Sequence, residues 1–154
     1  MSPELRIIQL GLELPVCSRP AGNYAAAVRS GSLLFLSGKA PLPVLGVYPR
    51  GRLGEEFSAE DGYVLARSAC TDLLAATKAA IGSLDEVEQI LEVHGSLNTT
   101  PDFVDHARVL DGASDLLVAL FGQAGTHARS VIGVTSLRNG VPLTVKATIQ
   151  CKPS

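Results

Sequence analysis

Tryptophan is absent from this chain, and all aromatic residues together make up only 5% of it. A core built from it must therefore rely on Leu, Val, Ile and Ala. Cysteine is scarce as well: Cys17, Cys70 and Cys151 are far apart, odd in number and lack C-x-x-C spacing. That pattern excludes a disulfide framework and reads as reduced thiols in a cytoplasmic protein. Long apolar runs are missing; the stretch Ser32 to Leu36 is far too short to span a bilayer. The N-terminus lacks the basic-then-apolar layout of a signal peptide. There is no run of five basic residues, and the formal net charge is -2, which argues against a nucleic-acid partner. The charged content is only 18%.

What the chain does have is apolar bulk. Hydrophobic residues make up 46% of its 154 residues, and mean hydropathy is +0.26. This suits one globular domain, residues 1–154, with a real core and no disorder. The apolar surplus points to a subunit interface.

Pro3 to Leu10 carries apolar residues at helical spacing and Gly11 supplies a stop, so a short helix over 3–10 is expected. Tyr24 to Arg29 and Leu33 to Ser37 read as a first hairpin around Ser30-Gly31-Ser32, which Gly38 closes. Prolines and glycines then crowd Lys39 to Phe57, a long surface loop. Ser58 and Asp61 have the spacing of a capping box, and helical periodicity runs on to Ile81 before Gly82. Gln89 to Leu97 alternates as a strand. Thr100-Pro101-Asp102 reads as the start of a second helix with proline at its first position. Its buried stripe is Phe103, Leu110, Ala113, Leu117 and Leu120, and Gly122 is its stop. Gly112 in mid-helix marks close packing or a local break. Val131 to Thr135 and Val141 to Ile149 flank Asn139-Gly140 and read as a C-terminal hairpin. The order suggests an α+β fold, two main helices on one face of a mixed sheet, the other face left for oligomerisation.

Few residues invite chemistry. His94, His106 and His127 show neither H-x-x-x-H nor H-E-x-x-H spacing, so no metal is expected. There is no G-x-S-x-G elbow or phosphate loop, and no cofactor is expected. Asp102, Asp105, Asp111 and Asp115 read as the solvated face of the second helix. The residue that stands out is Arg129, at the opening of the last unit and two residues after His127. Its guanidinium fork suits a carboxylate or phosphate. An ordinary structural ion pair is the competing reading.

Asn23-Tyr24, Leu34-Phe35-Leu36-Ser37-Gly38 with Pro41, Pro101-Asp102-Phe103 and Ala128-Arg129-Ser130 occur in the order seen in one family. The chain resembles the RidA/YjgF family, also called the endoribonuclease L-PSP family, over essentially residues 12 to 151. Leu10 to Pro15, Asp61-Gly62-Tyr63, Asp111 to Leu116 and Phe121 to Ser130 resemble one YjgF-like branch of it. The resemblance implies a chorismate-mutase-like fold and a homotrimer, with a central β-barrel, outer helices and ligand clefts between subunits. It implies hydrolysis of reactive enamines and imines, such as 2-aminoacrylate, to a keto acid and ammonia. In that setting Arg129, with Ser130, clamps the substrate carboxylate, Tyr24 lines the cleft, and Ser37 and Gly38 contribute backbone and edge contacts.

The chain also departs from the family pattern. Lys146 matches the position of the glutamate that helps place the water, and a lysine is no carboxylate acceptor. Val131 replaces a cysteine, Ala107 falls near a helix asparagine, and Leu137-Arg138 replaces Leu-Pro. Arg129 and Lys146 sharing one cleft would favour a dianionic or phosphorylated ligand. Three readings follow: an enamine/imine deaminase, a non-catalytic binder of a small carboxylate metabolite, and, behind both, a ribonuclease.

Overall fold

The computed structural model describes residues 1–154. Local signals at the helix ends work as the sequence suggests. Helix α1 (Pro3–Gln9) is capped by Ser2 and carries proline in its first turn. Helix α2 (Ala59–Ile81) begins with a complete capping box between Ser58 and Asp61 and ends at Gly82, whose φ is +88°. Helix α3 (His106–Phe121) ends at Gly122, with φ +60°.

Five strands form one sheet: β1 (Ala27–Ser30), β2 (Leu33–Lys39), β3 (Val87–Asn98), β4 (Ala128–Val134) and β5 (Leu143–Cys151). Their spatial order is β1-β2-β5-β3-β4, with β3–β4 parallel and every other pair antiparallel. The first hairpin is β1 and β2, turning at Gly31-Ser32 as expected.

The expected C-terminal hairpin does not form. β4 pairs with β3, reached by a crossover through α3, whereas β5 inserts between β2 and β3. The cause lies in burial. Leu143, Val145, Ala147, Ile149 and Cys151 alternate inward, and a central strand covers this apolar row better than a place beyond β4. Asn139 (φ +54°) and Gly140 (φ +71°) do turn the chain, but within a short 3₁₀ segment of the longer β4–β5 connection.

The start of α3 is a second correction. Pro101 and Asp102 lie in a turn, and the helix begins at His106 after Asp105. Residues 98–100 are held outside it, because Leu53 N–H donates to Asn98 O at 2.8 Å and Thr100 N–H donates to Leu53 O at 3.0 Å. Phe103 therefore packs edge-on against His106 from outside the helix, rather than within its stripe. The first strand is also shorter than expected, beginning at Ala27, and Lys39 belongs to β2 rather than to the loop after it.

The core lies between the sheet and the α2–α3 layer. Ile90, Val93 and Leu97 of β3 face Leu73 and Leu74 of α2 and Leu110 and Leu117 of α3 within one buried cluster. Fully burying such side chains contributes about 1.5–3 kcal/mol each. Gly112 resolves to close packing: a Cβ there would run into the backbone carbonyl of Tyr63 on α2. On the other sheet face Val28 pairs with Phe35, and these two and Ile132 are about half exposed. No helix is long and apolar enough to cross a membrane.

Candidate functional site

Arg129 sits on β4 opposite Val93, a buried residue of the helix-facing side. Its guanidinium reaches α3. Nη1 lies 2.8 Å from Asp111 Oδ1 and donates to Ser114 Oγ at 3.0 Å, and Nη2 donates to the Ala107 carbonyl at 3.1 Å. Ser114 Oγ is in turn 2.9 Å from His127 Nε2, and His127 Nδ1 is 2.6 Å from the Gly125 carbonyl. A carbonyl only accepts, so Nδ1 carries the proton, Nε2 accepts, and the Ser114 hydroxyl donates to it. The chain Gly125–His127–Ser114–Arg129–Asp111 is thus fully polarised, and it fixes the guanidinium from three sides. The ion-pair reading of Arg129 is correct as far as one chain goes, and Asp111 is its partner rather than part of a merely solvated face. Asp102 and Asp105 stand outside the helix altogether, and Asp115 accepts from the Tyr63 hydroxyl at 2.7 Å. That bond and burial push the Tyr63 hydroxyl above its usual range.

Ser130 and Lys146 point the other way. Ser130 pairs with His94, and His94 pairs with Lys146, so the three form a row on the open sheet face. Arg129 and Lys146 therefore do not share a cleft within one chain. On the open face Glu92 Oε1 lies 3.3 Å from His94 Nε2 and accepts from Thr148 Oγ1 at 3.1 Å. The His94 bond first, then that of Thr148, holds its carboxyl below the usual range.

Tyr24, Ser37 and Gly38 come together at the other end of the sheet, around a cavity of about 220 Å³. The Ser37 hydroxyl donates to the Ala25 carbonyl at 2.7 Å, and Tyr24 Oη accepts from the Ala21 amide at 3.1 Å. Sequence reasoning missed the charge that surrounds them. Lys39, Arg19, Arg50 and Arg138 all line this cavity, with Asp72 as its one carboxylate. Lys39 and Asp72 are both buried; their charged atoms are 3.8 Å apart and share Ser18, whose Oγ lies 2.9 Å from Lys39 Nζ and 2.7 Å from Asp72 Oδ2. Lys39 follows Ser37-Gly38 directly and could have been noticed. Arg50 and Arg138 belong to distant loops whose meeting no local pattern announces.

The predicted residues thus fall into two groups. β2 and β4 are three strand spacings apart in the sheet, about 14 Å. No group of three or more His, Cys, Asp or Glu residues is placed to hold a metal ion. The three thiols are free, and burial pushes the Cys70 thiol up to about 12, far from a usable thiolate.

A family model described as "YjgF/chorismate_mutase-like, putative endoribonuclease" matches residues 4–144. The chain belongs to the YjgF family. Protein TCP17 of Trypanosoma cruzi is 34% identical over 143 residues, covering 92% of this chain and 89% of TCP17. Among solved structures, one described as "a putative endoribonuclease" from Shewanella oneidensis is 34% identical, with a TM-score of 0.92 over 97% of this chain and 99% of that one. The protein Atu1372 of Agrobacterium tumefaciens, described as of unknown function, is 30% identical, with a TM-score of 0.88 over 97% and 92%. Membership of the YjgF family accounts for the mixed sheet with helices on one side.

Proposed function

We propose that this YjgF-family chain binds a small carboxylate-bearing metabolite in the cleft around Tyr24, Ser37 and Gly38, and that Arg129 of a neighbouring copy completes it in a homotrimer. The observation that carries this reading is a cavity of about 220 Å³ in which cations outnumber carboxylates. Its lining of two tyrosines, Tyr24 and Tyr48, exposed Gly38 backbone and several cations suits a small anion. The half-exposed Val28, Phe35 and Ile132 on the open sheet face support assembly, since apolar surface of that kind is normally covered. Ser130 and Lys146 belong to that same face and would meet other copies before they met ligand.

Binding is favoured over catalysis by one specific feature. Imine hydrolysis adds water to the imine carbon, breaks the C–N bond and releases ammonia, so a group must hold the water and accept its proton. The only carboxylate at this cavity, Asp72, is committed to Lys39 and Ser18, and Lys146 stands at the family's glutamate position. Hydrolysis of 2-aminoacrylate-like imines is the second reading, drawn from the family resemblance. A ribonuclease is served least: the net charge is -2 and the chain has no basic run to track a nucleic-acid backbone.

Two measurements test the proposal together. Propionate or lactate is titrated calorimetrically, and keto-acid release from freshly generated 2-aminoacrylate is followed for wild type and Arg129→Ala. Carboxylate binding, weakened in the variant, with release no faster than the spontaneous rate, is the expected result. Release above that rate and lost in Arg129→Ala would replace the binder with an imine hydrolase. No carboxylate binding at all would end both readings.

A further inference from the structure

We infer that the cleft takes a metabolite with two anionic groups, a short dicarboxylate or a phosphorylated carboxylate, with Arg50 and Arg138 meeting the second group. This rests on the carboxylate-binding reading and narrows it.

The charge inventory gives the first argument. Elsewhere four cations pair with carboxylates, Arg52 with Glu55, Lys78 with Glu4, Arg108 with Glu60 and Arg129 with Asp111, while Arg67, Lys146 and Lys152 make no ion pair and line no part of this cavity. Arg19, Arg50 and Arg138 make no ion pair and no side-chain hydrogen bond, yet all three line the one cavity. Its single carboxylate, Asp72, is already taken by buried Lys39 and by both Ser18 donors, N–H at 3.3 Å and Oγ at 2.7 Å. Unpaired like charges around a shared cavity repel each other, and an anion placed between them removes that cost.

The second argument is that the backbone segments carrying two of these cations are held together. The Arg50 and Arg138 loops are stitched together where the Gly51 amide donates to the Gly140 carbonyl at 2.9 Å. Buried Asn98 braces both from below: its Nδ2 donates to Val141 O at 3.4 Å and to Gly51 O at 3.5 Å. Asn139 and Gly140 take positive φ angles to bring the chain round at this place. Two guanidinium forks carried on joined loops match the oxygens of carboxylate or phosphate.

The third argument is capacity. One carboxylate can be met by one guanidinium in a bidentate contact. Three unpaired arginines leave charge over for a second anionic group. A cavity of about 220 Å³ suits a small molecule, so a short spacer between the two groups is the simplest fit.

The probes are propionate, succinate and 2-phosphoglycolate, titrated calorimetrically into the full chain at fixed ionic strength. Succinate or 2-phosphoglycolate should bind at least tenfold more tightly than propionate, and the tighter of the two identifies the second group. In Arg50→Ala and Arg138→Ala that preference should shrink to threefold or less. Arg52→Ala, whose side chain is paired with Glu55, should keep it. Circular-dichroism melts confirm that the variants fold, and both arginines are exposed enough for that to be expected. Propionate binding as tightly as either dianion overturns the inference while leaving carboxylate binding intact. So does a preference that survives both arginine substitutions. If none of the three probes binds, the broader reading falls with it.

Discussion

Asp111 holds Arg129: Oδ1 of the one lies 2.8 Å from Nη1 of the other, across the gap between α3 and β4. The guanidinium proposed above as a carboxylate clamp is therefore already facing a carboxylate of its own chain. The pair is incompletely buried, with the side chains 26% and 48% exposed, so it contributes only about 0–1 kcal/mol to stability. Replacing Asp111 by Asn keeps the shape and removes the competing charge. Asp111→Asn should bind propionate three- to tenfold more tightly by titration calorimetry, with only a small change in melting temperature. Unchanged affinity beside a lower melting temperature would reassign Arg129 to a purely structural role.

Local signals made much of this fold legible. The Ser58–Asp61 capping box, the glycine stops after α2 and α3 and the β1–β2 turn each involve residues a few positions apart, where pattern and physics coincide. The strand order could not be read in this way. Asn139-Gly140 is a strong hairpin signal, yet β5 is drawn to the sheet centre by its buried row from Leu143 to Cys151, a long-range effect. The start of α3 departs from its local signal for a related reason: Pro101 fits a first helical position, but backbone bonds to Leu53 tie down the preceding residues. At the cavity, Tyr24, Ser37 and Gly38 come from the family resemblance, and the β1–β2 hairpin brings them together. Arg50, Asp72 and Arg138 escaped because three separate segments meet only in space.

Gly112 makes a sharp prediction about the α2–α3 contact. In a helix interior Gly→Ala normally gains about 1 kcal/mol. Here the new Cβ would meet the Tyr63 carbonyl, which is backbone and cannot swing aside. Overpacking typically costs about 1–3 kcal/mol, and a rigid neighbour puts this case at the upper end. Gly112→Ala should therefore lower unfolding free energy by about 2 kcal/mol net in urea titration. A neutral or stabilising result would mean that the two helices can separate freely, and that the close approach is not needed.

Glu4 fastens α1 to the far end of α2. It accepts from the Leu84 amide at 2.8 Å and from Lys78 Nζ at 3.1 Å, with Ser83 Oγ at 3.3 Å. Burial alone would raise its pKa, but the Leu84 and Lys78 bonds, the Lys78 charge and Ser83 outweigh that and hold the carboxyl below its usual range. A carboxyl with a folded pKa below its unfolded value of about 4.3 stabilises the fold at pH above that value. The contribution is lost as pH falls through the folded pKa, when the carboxylate takes up a proton and Lys78 loses its partner. Glu4→Gln should thus be less stable than wild type in urea at pH 7 and pH 5, and the gap should narrow below pH 4. A gap of constant size from pH 7 to pH 3 would mean that Glu4 acts through neutral hydrogen bonding and packing, with its charge contributing nothing to the attachment of α1.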